Sequence, residues 1–150
     1  MAWVTPTTRG VGDIITAAIW NQDCVNNPIA LLPIGLEFFI DGGGTAITTG
    51  LKGGIEVPGK CDIDRCSLGL DQASTTTIDI WMDSYANYPP TVADTITAAA
   101  KPATAAADKD QDSTLAGWTT AVVAGHFLFF NVDANDLATW CLVSLKCSRS

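Results

Sequence analysis

Positive charge is scarce in this sequence. Its 150 residues include eight Lys and Arg against sixteen Asp and Glu, so the net charge at pH 7 is −8. The basic residues are scattered along the chain and never form a cluster. Affinity for nucleic acid depends on neutralising several phosphates with a basic patch. We therefore expect no nucleic-acid partner.

Long apolar runs are also missing. The most apolar stretch, PIALLPIGLEFFI at 28–40, contains two prolines, a glycine and a glutamate, and it is too short to span a bilayer. The N-terminus, MAWVTPTTRG, has neither the charged start nor the apolar stretch of a signal peptide. These features predict a protein that is made in the cytosol and has no membrane partner.

A single histidine and the lack of catalytic motifs argue against an enzyme. His126 lies between a turn and an apolar strand in AGHFLF, where we expect it to be structural. The patterns GxSxG, HExxH and the phosphate-binding loop do not occur. Nothing selects two of the many carboxylates as an acid–base pair. The sequence therefore predicts a non-enzymatic protein.

Recognisable metal ligands are lacking too. The five cysteines include no CxxC pair and match no usual zinc spacing, so we expect them to be reduced and buried. They are Cys24, Cys61, Cys66, Cys141 and Cys147. Asp108, Asp110 and Asp112 have the spacing of an EF-hand loop, but Ser113 and Thr119 replace its glycine and its bidentate glutamate. We expect no metal and no other cofactor.

Short strands separated by turns dominate the sequence from residue 36 onward. With 47% hydrophobic and 16% charged residues, the chain has the composition of one globular domain. Turns recur every 8–15 residues and no long amphipathic helix follows residue 35, which predicts an all-β fold over 36–150, an antiparallel β-sandwich or jelly roll. The final run, 137–148, is expected to be a central strand. The stretch 97–112 suits either a helix or an extended loop.

The first 35 residues differ from the rest and predict an N-terminal arm, 1–35, with a short helix. Thr16 can cap the segment AAIWNQDCV, which NNP at 26–28 would end. A helix of about ten residues is marginal alone, so it must pack on the domain or on another protein. The candidate anchoring residues are Ile15, Ile19, Trp20 and Val25.

Aromatic residues supply the candidate contact surfaces. In DIWMDSYANYPP at 79–90, a two-residue alternation ends at two tyrosines and two prolines. Trp81, Tyr85 and Tyr88 could stack on a sugar ring, or Trp81 could cover the sheet while the tyrosines pack on the prolines; the second interpretation is favoured. The strand FLFFNVD is apolar on both faces, so it is covered twice or lies in an interface. The candidate oligomer-interface residues are Phe127, Phe129 and Trp140.

Several strings resemble bacteriophage virion proteins. The segment GDIITAAIWNQDCVNNPIAL looks like one that opens many structural proteins of tailed phages. The strings FFIDGGGTAITTGLKGGIEVP, DIWMDSYANYPPTVADTIT, STLAGWTT and FNVD resemble a β-rich module of phage virion proteins. That module occurs as a small separate protein and at the end of longer tail or fibre proteins. Its strings carry no established chemistry, so the resemblance transfers no catalytic or ligand residue.

The resemblance implies a virion structural protein that is assembled in the host cytoplasm. We expect a capsid decoration, or cement, protein on the capsid exterior, because no repetitive shaft of a fibre is present. The arm would dock on the major capsid protein or another virion subunit, and the sandwich would self-associate as a homotrimer. The alternative is a tail fibre or tail-tip receptor-binding module, in which Trp81, Tyr85 and Tyr88 contact a host glycan.

Overall fold

The protein is described by a computed structural model that covers residues 4–5, 10–26 and 34–149. Within these ranges the chain forms a short N-terminal helical segment followed by eight β-strands. The strands are β1 (Ile34–Asp41), β2 (Gly50–Glu56), β3 (Cys61–Ser74), β4 (Thr76–Asp83), β5 (Ala107–Asp112), β6 (Ala121–Val122), β7 (Phe127–Asn135) and β8 (Trp140–Arg149). The all-β class predicted from the turn spacing is confirmed.

The strands form two antiparallel sheets that pack face to face. The larger sheet has the order β1-β8-β3-β5, with the short β6 paired to β3, and the smaller sheet has the order β2-β7-β4. The final strand, β8, lies between β1 and β3, as its apolar pattern predicts. β7 is likewise flanked on both sides, by β2 and β4.

The segment 95–104 runs along the outer edge of β4 and extends the smaller sheet. Ile96 N donates to the Ile80 carbonyl at 2.9 Å, and Ile78 N donates to the Pro102 carbonyl at 3.0 Å. With this segment the sheets have the strand order of a jelly roll, in which strands close in sequence alternate between the sheets. Residues 97–112 are therefore extended and not helical, but they pair with β4 and, as β5, with β3 instead of forming a solvated loop.

The core lies between the sheets and follows the alternation of the strands. On β8 the residues that face inward are buried; they are Cys141, Val143, Leu145 and Cys147. Phe38 of β1 and Phe130 of β7 stack across the two sheets, with ring centroids 4.7 Å apart and planes 5° apart. Burying a side chain of this size contributes roughly 1.5–3 kcal/mol. These cross-sheet contacts therefore fix how the two sheets pack.

The N-terminal helical segment is short and exposed. It comprises α1 (Ala17–Trp20) and a π-helical turn (Asn21–Asn26). Thr16 caps it as expected, because its Oγ1 accepts a hydrogen bond from Ile19 N at 3.3 Å. None of the α1 residues is buried. Among the residues that the structure describes, no helix is long and apolar enough to cross a membrane.

Candidate functional site

The outer face of the smaller sheet carries two rows of side chains in register. Strand pairing places Phe127 of β7 between Glu56 of β2 and Asp83 of β4. In the next row Phe129 lies opposite Trp81. Opposite residues of an antiparallel pair project from the same face. Acidic and aromatic side chains from three strands therefore meet at this end of the sheet.

The turn after β4 brings two tyrosines back over β7. A 3-10 turn at Tyr85–Asn87 reverses the chain. The Tyr88 ring then meets Phe127 edge to face, with centroids 5.1 Å apart, and meets Phe129 in the same way at 5.4 Å. The Tyr85 ring is tilted against Phe127 at 6.3 Å. The tyrosine rings thus pack on the phenylalanines of β7, a contact that the sequence interpretation had placed on Pro89 and Pro90.

An open cleft of about 490 Å³ is lined by Tyr85, Tyr88 and Phe127. We call these three residues the aromatic cleft. Tyr85 is 79% exposed and Tyr88 is 55% exposed, whereas Phe129 is buried beneath them. Trp81 lies half-buried in the row behind, and its Nε1 is buried without a hydrogen-bond partner among the described residues. Of the predicted glycan-contact residues, the two tyrosines line the cleft and Trp81 does not.

A fixed negative charge borders the aromatic cleft. Oδ1 of Asp83 accepts hydrogen bonds from Ser84 N at 2.6 Å and from Asn87 Nδ2 at 3.2 Å. These bonds, that from the Ser84 backbone above all, lower the pKa of Asp83 below its usual value. The carboxylate is therefore ionised at neutral pH and held in one orientation.

The opposite end of the same face holds an ionic cluster. Asp79 is only 1% exposed, and its Oδ1 accepts hydrogen bonds from the hydroxyls of Thr95 at 2.6 Å and Thr97 at 2.7 Å. Nζ of Lys101 lies 3.0 Å from Asp79 Oδ2 and 2.6 Å from Asp133 Oδ2. We call these residues the Asp79 cluster. It ties the segment 95–104 to β4 and β7, with Asp79 buried and Lys101 and Asp133 partly exposed.

Two opposing effects set the pKa of Asp79. Burial alone would raise it, but side-chain donors, beginning with the Thr95 hydroxyl, lower it by more, so the pKa lies below its usual value. The indole Nε1 of Trp81 is near enough to contribute, although it makes no contact of hydrogen-bond geometry. Lys101 shows the reverse effect, because hydrogen bonds to Asp133 and Asp79 raise its pKa. The cluster is therefore charged over the neutral range.

The structure separates the predicted oligomer-interface residues. Phe127 borders the aromatic cleft and Phe129 is buried beneath Tyr88 within its own chain. Trp140 lies on the outer face of the larger sheet, where its ring packs against the exposed Phe39 at 5.7 Å. The three residues therefore form no single surface.

The arm exposes two of its four predicted anchoring residues. Ile15 is 58% exposed and Trp20 is 57% exposed, while Ile19 is half-buried. The side chain of Val25 lies outside the described residues, as do residues 27–33. The core begins with Ile34, two residues before the predicted domain boundary.

The remaining candidate residues lie in strands and turns of the sandwich. Asp110 and Asp112 belong to β5 rather than to a loop, and Asp112 accepts hydrogen bonds from the backbone of Thr114 and Leu115. Across the described ranges, no three His, Cys, Asp or Glu side chains are grouped so that they could hold a metal ion. The carbonyl oxygen of His126 accepts a hydrogen bond from Val57 N at 2.8 Å.

Four of the five cysteines are buried, as the sequence predicts, and one is exposed. All five are free thiols, four are buried in the core, and Cys24 on the arm is exposed. Burial raises the pKa of Cys66, Cys141 and Cys147 to about 12. Thiols with such pKa values remain protonated at neutral pH, so they pack as small apolar groups.

Comparisons with protein-family models, with curated proteins and with solved structures found no match.

Proposed function

We propose that this chain is a non-enzymatic structural subunit of a bacteriophage virion, attached to its particle by the arm 1–35. The observation that carries the proposal is the exposure of Ile14, Ile15 and Trp20 on that arm, while the sandwich closes its own core from Ile34 onward. Apolar side chains on so short a helix are stabilised when another protein covers them.

The location proposed for the subunit is the capsid exterior, where it acts as a decoration protein. The phage-like strings of the arm support this location, as does the strand order, since jelly rolls build viral capsid domains. The strand order supports this location only through likeness of fold, because one fold hosts many functions. The arm would bury apolar area across neighbouring copies of the major capsid protein, which stabilises the assembled particle against dissociation.

Self-association as a homotrimer belongs to the same proposal. Phe39 and Trp140 form an exposed aromatic pair on the outer face of the larger sheet. Aromatic residues are enriched in the centres of subunit interfaces. Trp140 therefore remains a candidate interface residue, in a contact that does not involve Phe127.

A double substitution on the arm tests the attachment. Ile15→Ser with Trp20→Ser removes two exposed apolar side chains, so the melting temperature of the isolated protein should not change. Binding to particles that lack the wild-type chain, measured by co-sedimentation, should fall at least about tenfold, because two hot-spot-sized contacts are lost. Leu137→Ser, which removes an exposed apolar side chain of the sandwich, is the matched control and should bind normally. Undiminished binding of the double variant would overturn the proposal.

A second candidate function is adhesion to a host glycan at the tail. The exposed tyrosines of the aromatic cleft favour it, since flat rings with free hydroxyl groups suit a sugar. Jelly rolls also build lectin domains. This hypothesis predicts that the isolated wild-type protein binds host cells. It also predicts that Tyr85→Ala abolishes the binding without lowering the melting temperature. Equal cell binding by the two proteins would exclude the glycan site.

A further inference from the structure

We propose that the aromatic cleft binds a positively charged side chain, an arginine guanidinium, presented by a partner protein. The inference concerns the chemistry of the cleft and does not depend on where in a particle, or whether in a particle, the chain resides. It joins three observations: exposed rings, flanking carboxylates, and a lysine on the same face that is already paired with other carboxylates.

The rings provide the first part of the site. Tyr85, Tyr88 and Phe127 approach one another at different angles, 39° between Tyr85 and Phe127 and 73° between Tyr88 and Phe127. Because Tyr85 is 79% exposed and Tyr88 is 55% exposed, part of their ring surface is open to a ligand. The faces of aromatic rings carry partial negative charge and attract a cation placed within about 6 Å of a ring centroid.

The carboxylates provide the second part. Asp83 and Glu56 flank Phe127 in register, one on each neighbouring strand. Adjacent strands lie about 4.8 Å apart, so each carboxylate is one strand away from the floor of the cleft. Both hydrogen bonds to Asp83 end on Oδ1, so Oδ2 can accept a donor from a ligand. The ligand therefore meets two negative charges around an aromatic surface.

Lys101 is a cation on the same face, and it is already engaged by Asp79 and Asp133. Asp79 is four residues along β4 from Asp83, which corresponds to roughly 13 Å of extended strand. His126, next to Phe127, is closer and favours the ionised form of Asp83. The net charge of −8 adds a field that favours a positive partner.

Arginine fits these features better than a sugar or an apolar side chain. Its guanidinium is planar, stacks on aromatic rings and donates hydrogen bonds to carboxylates at the same time. A neutral sugar would stack on the rings and could donate hydroxyl hydrogen bonds to the carboxylates, but it carries no charge to balance theirs. An apolar side chain would offer no donor to Glu56 or to Oδ2 of Asp83.

A pair of blocked tripeptides tests the proposal on the full chain. Ac-Gly-Arg-Gly-NH₂ and its citrulline counterpart have nearly the same shape, but only the first is charged. In a titration followed by ¹⁵N–¹H NMR spectra, we expect the arginine peptide to shift the amides of 83–88 and 126–128. The citrulline peptide should bind at least about fivefold more weakly, as expected when a cation–π contact is lost.

Three variants locate the site. Tyr85→Ala and Asp83→Asn should each weaken the arginine peptide several-fold, and added salt should reduce its binding to the wild type. Glu37→Gln makes the same charge change on the outer face of the larger sheet and should leave the affinity unchanged. Equal affinity for the two peptides, or no shift with either, would overturn the proposal. If cellotetraose shifts these amides and the arginine peptide does not, the cleft is a saccharide site and the proposal is wrong.

Discussion

At the scale of single residues, Asp79 shows how a polar side chain is accommodated beside an apolar sheet. Its carboxylate is covered by the segment 95–104 and is compensated by two hydroxyls and one ammonium group. An isolated buried charge would cost several kcal/mol. The sequence showed Asp79 only as the outward member of an alternating strand. The partners of Asp79 could not be predicted from the sequence. Thr95, Thr97 and Lys101 belong to a segment whose path along β4 depends on tertiary contacts.

Removing the cation of the Asp79 cluster should destabilise the protein. Lys101→Met leaves the buried Asp79 carboxylate with its hydroxyl partners alone. We therefore expect the free energy of unfolding to fall by about 2 kcal/mol. This loss is smaller than that for a wholly buried ion pair, because Lys101 is partly exposed. Urea unfolding followed by tryptophan fluorescence measures the change. Lys60→Met, at an exposed loop position, should change the stability by less than about 0.5 kcal/mol. A loss that is equal in the two variants would contradict this role for Lys101.

The same cluster predicts sensitivity to acid. The folded-state pKa of Asp79 is lowered, so its contribution to stability is complete above the unfolded-state pKa of about 3.9 and is lost as pH falls through the lower folded-state value. We expect the melting temperature of the wild type to drop below pH 4. Asp79→Asn should be less stable than the wild type at pH 7 and should lose less between pH 5 and pH 2. Parallel pH curves for the two proteins would show that Asp79 does not contribute.

At the scale of elements, local alternation was enough to find the strands but not their neighbours. β8 could be predicted as a central strand because one of its faces is apolar throughout and the other is half apolar. β7 could be predicted as a covered strand because both of its faces are apolar. The Ala-rich stretch 97–112 was ambiguous because helix propensity is a weak local preference, which pairing with β4 and β3 overrides. The separation of Trp140 from Phe127 could not be foreseen, because the alternation does not say to which sheet a strand belongs.

Close approach of β2 to β7 requires glycine at position 54. A Cβ added there would lie 2.1 Å from the Leu128 carbonyl oxygen and 2.5 Å from the Phe129 ring. We expect Gly54→Ala to lower the free energy of unfolding by about 2 kcal/mol, as overpacking does. Gly35→Ala in β1 meets nothing within 4 Å and is the matched control, with an expected change of less than about 0.5 kcal/mol in either direction. Equal unfolding midpoints in urea would show that the two strands can separate at no cost.

The aromatic cleft also belongs to this scale. It exists because a 3-10 turn folds Tyr85 and Tyr88 over a neighbouring strand, and because Glu56 arrives in register from β2. The sequence indicated the tyrosines as candidate contact residues, because two aromatic residues directly after a strand are the one feature of the cleft that the sequence pattern contains. Glu56 could not be predicted as a neighbour of the cleft, because the register between β2 and β7 cannot be derived from the sequence of either strand alone.

At the scale of the whole molecule, the described chain consists of a sandwich and an arm. The sandwich buries its apolar residues between its own two sheets, whereas no residue of α1 in the arm is buried. The fold class could be derived from composition and turn spacing, because an amphipathic sheet has few ways to bury one face. The partner of the arm could not, because the residues that would cover it belong to another molecule. Attachment to a virion is therefore the central proposal that remains to be tested.

Cryo-electron microscopy of virus particles purified from host cells in which this chain is made tests that proposal most directly. We expect jelly-roll density repeated over the capsid exterior, with the arm around Ile15 and Trp20 buried against a capsid subunit. Density restricted to the tail tip or fibre would contradict the decoration role and favour the receptor-binding alternative. Particles that lack the chain altogether would contradict the central proposal itself.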